Sequence, residues 1–304
     1  MENRIKVIHI IINPAAGMGK SILPIINTSM KEAGIKWEAL ITHQPQDAAR
    51  FAKASVKEKI DALAVYGGDG TLTETISGLI GTGIPLVILP GGSANIMANE
   101  LGIPADLREA CLLLSQKPLV TKTIDVGHFA NRYFIVRISL GLEANAVKGA
   151  ERRSKNRMGI FAYFFSAVEA LKKTGATTYY LKIDGQEHKI KGLSCFITNT
   201  GNLGFSNITM DKDIDASDGL LDVIVIRKAN LGLLKLMAVA LFRRQRPENF
   251  KLVEHWQGKN IHVFSNPKQM IQSDGEILEK GPLHIKIIPG AIKVLIPKNN
   301  KVTG

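Results

Sequence analysis

Cysteine is nearly absent from this 304-residue chain, which has two, Cys111 and Cys195. Both sit in apolar stretches, so they read as small core residues, and they give neither a disulfide framework nor a zinc site. Long apolar runs are also missing. The nearest, LGLLKLMAVALF at 231–242, is interrupted by Lys235 and falls well short of the roughly 18 to 20 residues of a membrane span. The N-terminal stretch MENRIKVIHIIINPAAG breaks at His9 and ends at Asn13-Pro14. It lacks the long apolar core and small-residue cleavage site of a signal peptide and reads as a first buried strand. There is no internal repeat, low-complexity segment or long linker. Acidic residues are outnumbered, 27 against 39 lysines and arginines, for a net charge of +12. That excess favours an anionic partner, whether nucleic acid, nucleotide or the surface of an anionic membrane, without choosing among them. The expected setting is cytoplasmic, with peripheral contact to membranes.

What is present is a large apolar fraction, 45% of residues, enough for one large domain or two ordinary ones. Over the first 125 residues, apolar runs alternate with helical patterns. RIKVIHIIIN precedes a helix near 19–33, and WEALIT one near 46–57. ALAVYGG precedes a helix near 72–80, and PLVILPGG precedes helices near 93–101 and 106–115. Strands spaced by helices imply a Rossmann-like parallel α/β sheet buried on both faces. From about residue 126 the pattern becomes alternating and punctuated by Gly, Asn and Asp, as in TTYYLKIDGQEHKIKG and KNIHVFSN. This predicts a mostly antiparallel β domain with hairpins, one of them at Asp184-Gly185. Helical patterns near 156–173 and 231–242 interrupt it. The domains are therefore expected at 1–125 and 126–288, with the final strand at 289–304 free to return to the first.

Three glycine turns follow three of the predicted parallel strands: NPAAGMGKS at 13–21, GGDGTLTE at 67–74 and PGGSANIMANELG at 90–102. Ligands of open parallel sheets bind at the carboxyl ends of the strands. Glycine admits an anion to the backbone, and helix N-termini offer N–H groups and a positive dipole end. Three such turns on one edge point to a polyanion such as a nucleoside triphosphate. GMGKS is not a Walker A loop, because Pro14 stands where its first glycine is required. GGSAN reads either as a phosphate-binding turn, with the Ser93 hydroxyl adding a donor, or as an ordinary strand-to-helix turn with Ser93 as N-cap. Asp69 would repel phosphate unless a cation lay between them, so it points to Mg²⁺ and its waters. SDGEI offers Asp274 and Glu276 on one side if the segment is extended, or a hairpin centred on Asp-Gly. DIDASDGLLD at 213–222 is an aspartate-rich stretch that suits Mg²⁺ or Ca²⁺, or a solvated loop.

NPAAG, GGDGTLTE and PGGSAN in this order, followed by SDGLLDVIVI and IQSDGEILEKGPLHIKIIPGAIKVLIP, resemble the bacterial diacylglycerol kinase and sphingosine kinase-like lipid kinases over the whole chain. The resemblance implies an NAD kinase-like α/β domain and an antiparallel β-sandwich with ATP in the cleft between them. It implies an ATP- and Mg²⁺-dependent kinase acting on the hydroxyl of a lipid alcohol such as diacylglycerol. ATP would be held by Asn13, Pro14, Gly17, Thr42, Gly67, Gly68, Asp69, Gly70, Thr71, Leu72, Thr73, Ser93 and Asn95. Asp274 would be the general base with Glu276 beside it. A supporting Mg²⁺ would take the Asp218 side chain and the carbonyls of Asp215 and Leu220.

Two departures stand out. Ile96 follows Asn95 where many relatives carry aspartate, and Ser93 replaces the commoner threonine. The basic stretches KGAERRSKNRMG (148–159) and LFRRQRPENF (241–250) beside apolar helical patterns suggest a lipid entrance on an anionic surface. The expected partner is thus membrane lipid and not nucleic acid, with homodimerisation left open. The alternatives are an NAD kinase-like enzyme, which GGDGT also fits, and a non-catalytic nucleotide-gated lipid-binding protein.

Overall fold

The structure is a computed structural model and describes residues 5–19, 21–141, 175–202, 214–227, 253–278 and 280–298. The chain forms two compact units, one built on Met1–Val126 and Pro289–Gly304, the other on Gly127–Leu203 and Asn207–Ile288.

The first unit is α/β. Strands β1 (Val7–Ile12), β2 (Lys36–Ile41), β3 (Ala62–Gly67) and β4 (Leu86–Pro90) form a parallel sheet in the order β2-β1-β3-β4. The apolar runs of β1, β3 and β4 are buried almost throughout; Ile8, Ile10, Leu63, Leu86 and Leu89 are each 0% exposed. Each such side chain adds about 1.5–3 kcal/mol of burial. Helices α1 (Leu23–Ala33), α2 (Asp47–Ser55), α3 (Asp69–Leu79), α4 (Ile96–Glu100) and α5 (Leu107–Leu112) fill the crossovers. Helix α2 packs on α3, and α1 on α5. At Gly78 the first pair touches so closely that a Cβ there would lie 2.7 Å from both the Ala49 carbonyl oxygen and the Ala52 methyl. The chain leaves β1 for β2 on one side and returns to β3 on the other. The topological switch point therefore lies between β1 and β3, the pair whose following loops are NPAAG and GGDGT.

Helix α3 begins at Asp69, earlier than the apolar spacing from Leu72 predicts, because Gly68 takes the extended cap position (φ −94°, ψ −176°). Asp69, Gly70 and Thr71 thus form its first turn, where an acidic side chain suits the positive end of the helix.

Strand β5 (Thr121–Phe129) carries the chain into the second unit. There follow β6 (Arg132–Phe134), β7 (Arg137–Leu140), β8 (Thr177–Ile183), β9 (Gln186–Gly192), β10 (Ser194–Thr198), β11 (Leu221–Ile226), β12 (Val253–Gly258), β13 (Asn260–Asn266), β14 (Ile271–Ser273), β15 (Glu276–Leu278) and β16 (Leu283–Leu295), whose end from Pro289 belongs to the first unit and pairs with β4 in parallel. Two antiparallel layers, β16-β13-β8-β9 and β12-β11-β10-β7-β14-β15, enclose one core. Tyr179, Leu181, Ile261, Val263 and Ile285 of the first layer meet Ile138, Leu140, Ile197, Val223 and Ile271 of the second. Strand β13 alternates strictly between exposed and buried positions, the pattern of a sheet with one wet face. The α/β unit and the antiparallel β-sandwich bear out the fold class read from the sequence. The β8–β9 hairpin turns at Asp184 (φ 46°) and Gly185 (φ 92°), the left-handed pair that an Asp-Gly turn supplies.

Candidate active site

In the first unit, the loops after β1, β3 and β4 are stitched to one another. Asn13 Nδ2 donates to Thr71 Oγ1 at 2.9 Å, and the Asn13 carboxamide oxygen accepts the Ala15 N–H at 3.0 Å. The Gly17 N–H donates to the Gly91 carbonyl at 2.7 Å. Asp69 spans the second and third loops: its two oxygens accept the N–H groups of Ile96 at 3.0 Å and Met97 at 3.1 Å. These are the first two residues of α4, so the cap comes from Asp69 and not from Ser93, the N-cap alternative for GGSAN. Ser93 itself is exposed. Asn95 takes the cap position with φ 47° and folds its carboxamide back on Gly92, accepting the Gly92 N–H and donating to its carbonyl, both at 2.9 Å. Thr73 Oγ1 donates to the Asp69 carbonyl at 3.0 Å, and the Thr42 N–H donates to the Ile12 carbonyl at 2.9 Å.

The glycines of these loops differ in what surrounds them, and Gly19 (φ 77°) is open but held in the left-handed region. A Cβ on Gly92 would lie 2.5 Å from the Gly68 Cα, and one on Gly91 would lie 2.8 Å from the Tyr66 ring. One on Gly67 would lie 2.7 Å from the Thr71 Cβ. Gly17 has φ 76° and abuts the Tyr66 hydroxyl. These four are glycine because the protein approaches itself. Gly70 differs: it is exposed and helical, and a Cβ there meets nothing within 4 Å. Leu72 is 3% exposed, in the core, and its N–H donates to Gly68, so it contributes packing. Pro14 is exposed at the start of the first loop. Tyr66, which sequence reasoning left in its strand, is the ring around which Gly17 and Gly91 close; burial raises its phenol pKa. An aromatic residue directly before GGDG was the available signal.

In the second unit, Asp274 and Gly275 (φ 42° and 94°) turn the β14–β15 hairpin. The extended alternative for DGE is corrected accordingly: Asp274 and Glu276 are separated by a left-handed turn. The Asp274 carboxylate accepts the N–H groups of Ile135 at 2.8 Å, Val136 at 3.1 Å and Arg137 at 2.9 Å. The carbonyl side of that stretch is held too, by Asn199 Nδ2 on the Ile135 carbonyl at 3.2 Å and Thr198 Oγ1 on the Val136 carbonyl at 3.1 Å. Glu276 is exposed and pairs with Arg132 at 3.2 Å. Sequence reading took 194–200 for strand alone and missed this polar loop.

Asp215, Asp218 and Leu220 lie in one turn before β11. Asp215 Oδ1 accepts from the Ser217 N–H and hydroxyl, and Asp218 Oδ1 accepts the Leu220 N–H at 2.9 Å. A carboxylate and two carbonyls make an all-oxygen donor set, which fits Mg²⁺. Asp222, the last of the aspartates, belongs instead to β11, where it is 1% exposed and 2.6 Å from His255 Nε2. Asp213, both basic stretches and the helical patterns at 156–173 and 231–242 lie outside the described residues.

Residues 7–129 match the diacylglycerol kinase catalytic domain, and residues 136–296 match the YegS C-terminal NAD kinase beta sandwich-like domain. The chain belongs to the diacylglycerol kinase family. It is 28% identical to a diacylglycerol kinase of Staphylococcus haemolyticus over 97% of this chain and 89% of that protein. It is 27% identical to the Staphylococcus carnosus diacylglycerol kinase over 100% and 98%. The fold is shared with crystal structures from Bacillus anthracis str. Sterne. One gives a TM-score of 0.79 at 23% identity over 97% of this chain and 98% of that one. Another, of a diacylglycerol kinase, gives 0.75 at 20% over the same shares. Membership makes the chain a kinase of the lipid kinase type. Among the described residues no helix is long and apolar enough to cross a membrane.

Proposed function

We propose that this member of the family transfers the γ-phosphoryl group of ATP, with Mg²⁺, to the hydroxyl of a lipid alcohol such as diacylglycerol at an anionic membrane surface. Gly70 carries the reading. Four glycines of the loops are explained by the protein's own contacts, whereas Gly70 sits exposed in the first turn of α3 with open space at its Cβ position. Glycine there costs helix stability and gains no packing, so what it admits is a ligand. A phosphate beside the N–H groups of that first turn, at the switch point of a parallel sheet, fits.

The two units divide the task. The loops of the first bind nucleotide, with Asn13, Gly17, Thr71, Thr73 and Asn95 holding their shape and Asp69 fixing α4 against α3. Asp274 of the second accepts the proton of the acceptor hydroxyl, its carboxylate aimed by the N–H groups of Ile135, Val136 and Arg137. Asp218, with the carbonyls of Asp215 and Leu220, would hold Mg²⁺, an ion that supplies charge neutralisation in phosphoryl transfer. The net charge of +12 suits an anionic lipid surface.

The deciding assay supplies radiolabelled ATP and Mg²⁺ with a panel of lipid alcohols in mixed micelles, and NAD as a separate acceptor. Asp274→Asn and Asp184→Asn run in parallel. Both aspartates open an Asp-Gly hairpin and clamp backbone amides, but only Asp274 is assigned to chemistry. Labelled lipid from the parent and from Asp184→Asn, with a loss of about 10²-fold or more in folded Asp274→Asn, is the expected result. Label on NAD alone would replace lipid with nucleotide as acceptor. Equal activity in both variants would remove Asp274 from the chemistry.

A further inference from the structure

Three residues without a part in the proposed reaction meet in the first unit. His9 stands on β1, and Glu38 is its partner across the β1–β2 ladder, so the two share a face of the sheet. Glu58 closes the 3-10 turn Val56–Glu58 that follows α2. The imidazole is buried, while the Glu38 and Glu58 side chains are 63% and 60% exposed. His9 Nδ1 lies 2.8 Å from Ser55 Oγ. His9 Nε2 points between the carboxylates, 3.8 Å from Glu38 Oε2 and 3.9 Å from Glu58 Oε2. Among the described residues this is the one group of three His, Cys, Asp or Glu side chains gathered closely enough to share an ion.

The distances separate two arrangements. An imidazolium donating to a carboxylate closes to about 2.7–2.9 Å, and both separations exceed that by nearly an ångström. Ligands about 2.1 Å from a common tetrahedral ion stand about 3.4 Å apart. The observed gaps are close to that, and exposed glutamates have the freedom to close the rest. In the tautomer whose Nδ1–H is donated to Ser55 Oγ, Nε2 presents its lone pair, and this outer hydrogen bond is typical of a ligating histidine. In that tautomer a lone pair facing two carboxylates from a buried ring is unfavourable until a cation lies between them, so a bound ion selects it. Ser55 also ends α2, so the negative end of that helix dipole lies on the same side.

We infer that His9 Nε2, Glu38 and Glu58 bind a divalent transition-metal ion, with water completing the shell. Imidazole with two carboxylates favours such ions over Mg²⁺ and Ca²⁺, and Zn²⁺ is the probe of choice. The site is independent of the proposed Mg²⁺ position and uses no cysteine.

The test takes the full-length chain stripped with a chelator. Zn²⁺ affinity is measured by competition with a chromophoric chelator, and Co²⁺ is followed by its visible ligand-field absorption. One tight site per chain is expected, with a tetrahedral-type Co²⁺ band. Glu38→Gln and Glu58→Gln should each weaken Zn²⁺ at least tenfold, and the double variant should abolish the band. Both positions are exposed, so the metal-free melting temperatures should match the parent's, and none of these readouts depends on kinase activity. No Zn²⁺ uptake against the competitor, or uptake and absorption unchanged in the double variant, would overturn the site.

Discussion

Gly70 and Gly92 carry the same letter in the same set of loops, one in open space and one against backbone, and substitution separates them. Ala at 92 would place its methyl 2.5 Å from the Gly68 Cα, backbone against backbone. Gly92→Ala should therefore destabilise the first unit by about 1–3 kcal/mol, read as a lower urea midpoint at unchanged slope. Ala at 70 meets nothing, and alanine is the better helix former by up to about 1 kcal/mol. Gly70→Ala should hold or raise the midpoint while weakening ATP at least tenfold in equilibrium binding. If ATP binds Gly70→Ala as tightly as the parent, the nucleotide does not approach this turn. The sequence showed that GGDGT exceeds what a turn needs. Which glycine packs against the protein and which stands open was not legible, because Gly68 and Gly92 are 24 positions apart and meet through the β3–β4 pairing. The same separation hid the task of Asp69. Its partners, Ile96 and Met97, are 27 and 28 residues away, so the capping of another loop's helix by this carboxylate had no local signal.

At the scale of elements, the Asp-Gly hairpins act as clasps. Asp184 accepts the N–H groups of Lys259 at 3.0 Å and Asn260 at 2.8 Å, pinning the β8–β9 turn to the start of β13. Asp274 does the same to the stretch leading into β7, across 137 to 139 residues. The hairpin was visible in the sequence as a left-handed dipeptide between alternating segments. Its amide targets were not, since nothing in Ile135, Val136 or Arg137 marks a backbone N–H as available. The Lys259 amide, with the Asn260 amide behind it, holds the Asp184 carboxyl below its ordinary value against the opposing effect of burial. A group depressed in the folded state adds stability above its unfolded pKa, about 3.9, and loses that contribution as pH falls through the folded value. Asp47 behaves likewise, lowered to about 2 first by Arg50 and then by the His43 amide. The melting temperature should thus fall between about pH 4 and pH 2. Asp184→Asn should lower it at pH 7 and make the fall across that window shallower. An acid limb as steep in the variant as in the parent would show that Asp184 does not titrate with folding.

For the whole molecule, the two units follow different rules, and each was legible to a different degree. Near-continuous apolar strands separated by helical spacings can form little besides a parallel sheet buried on both faces. Strict alternation with Asp-Gly turns leads to antiparallel layers with one wet face. The order β2-β1-β3-β4, which brings two of the loops to the switch point, is a property of crossovers that local pattern does not encode. Each unit also holds one buried thiol, Cys111 in α5 and Cys195 in β10, and burial raises both pKa values, that of Cys111 to about 11. Thiolate is therefore scarce as well as hidden, and both cysteines should resist a thiol reagent in the native state. Labelling then requires opening, so the modified cysteine, identified by mass spectrometry, reports which unit opened. A ligand at a hundred times its Kd stabilises the state that binds it by about 2.7 kcal/mol, near a hundredfold in the opening equilibrium. Saturating ATP with Mg²⁺ should accordingly slow labelling of Cys111 by up to that factor. Cys195 should be slowed equally if the units open together and less if the second unit opens alone. Protection of Cys195 without protection of Cys111 would move the nucleotide off the glycine loops and onto the sandwich.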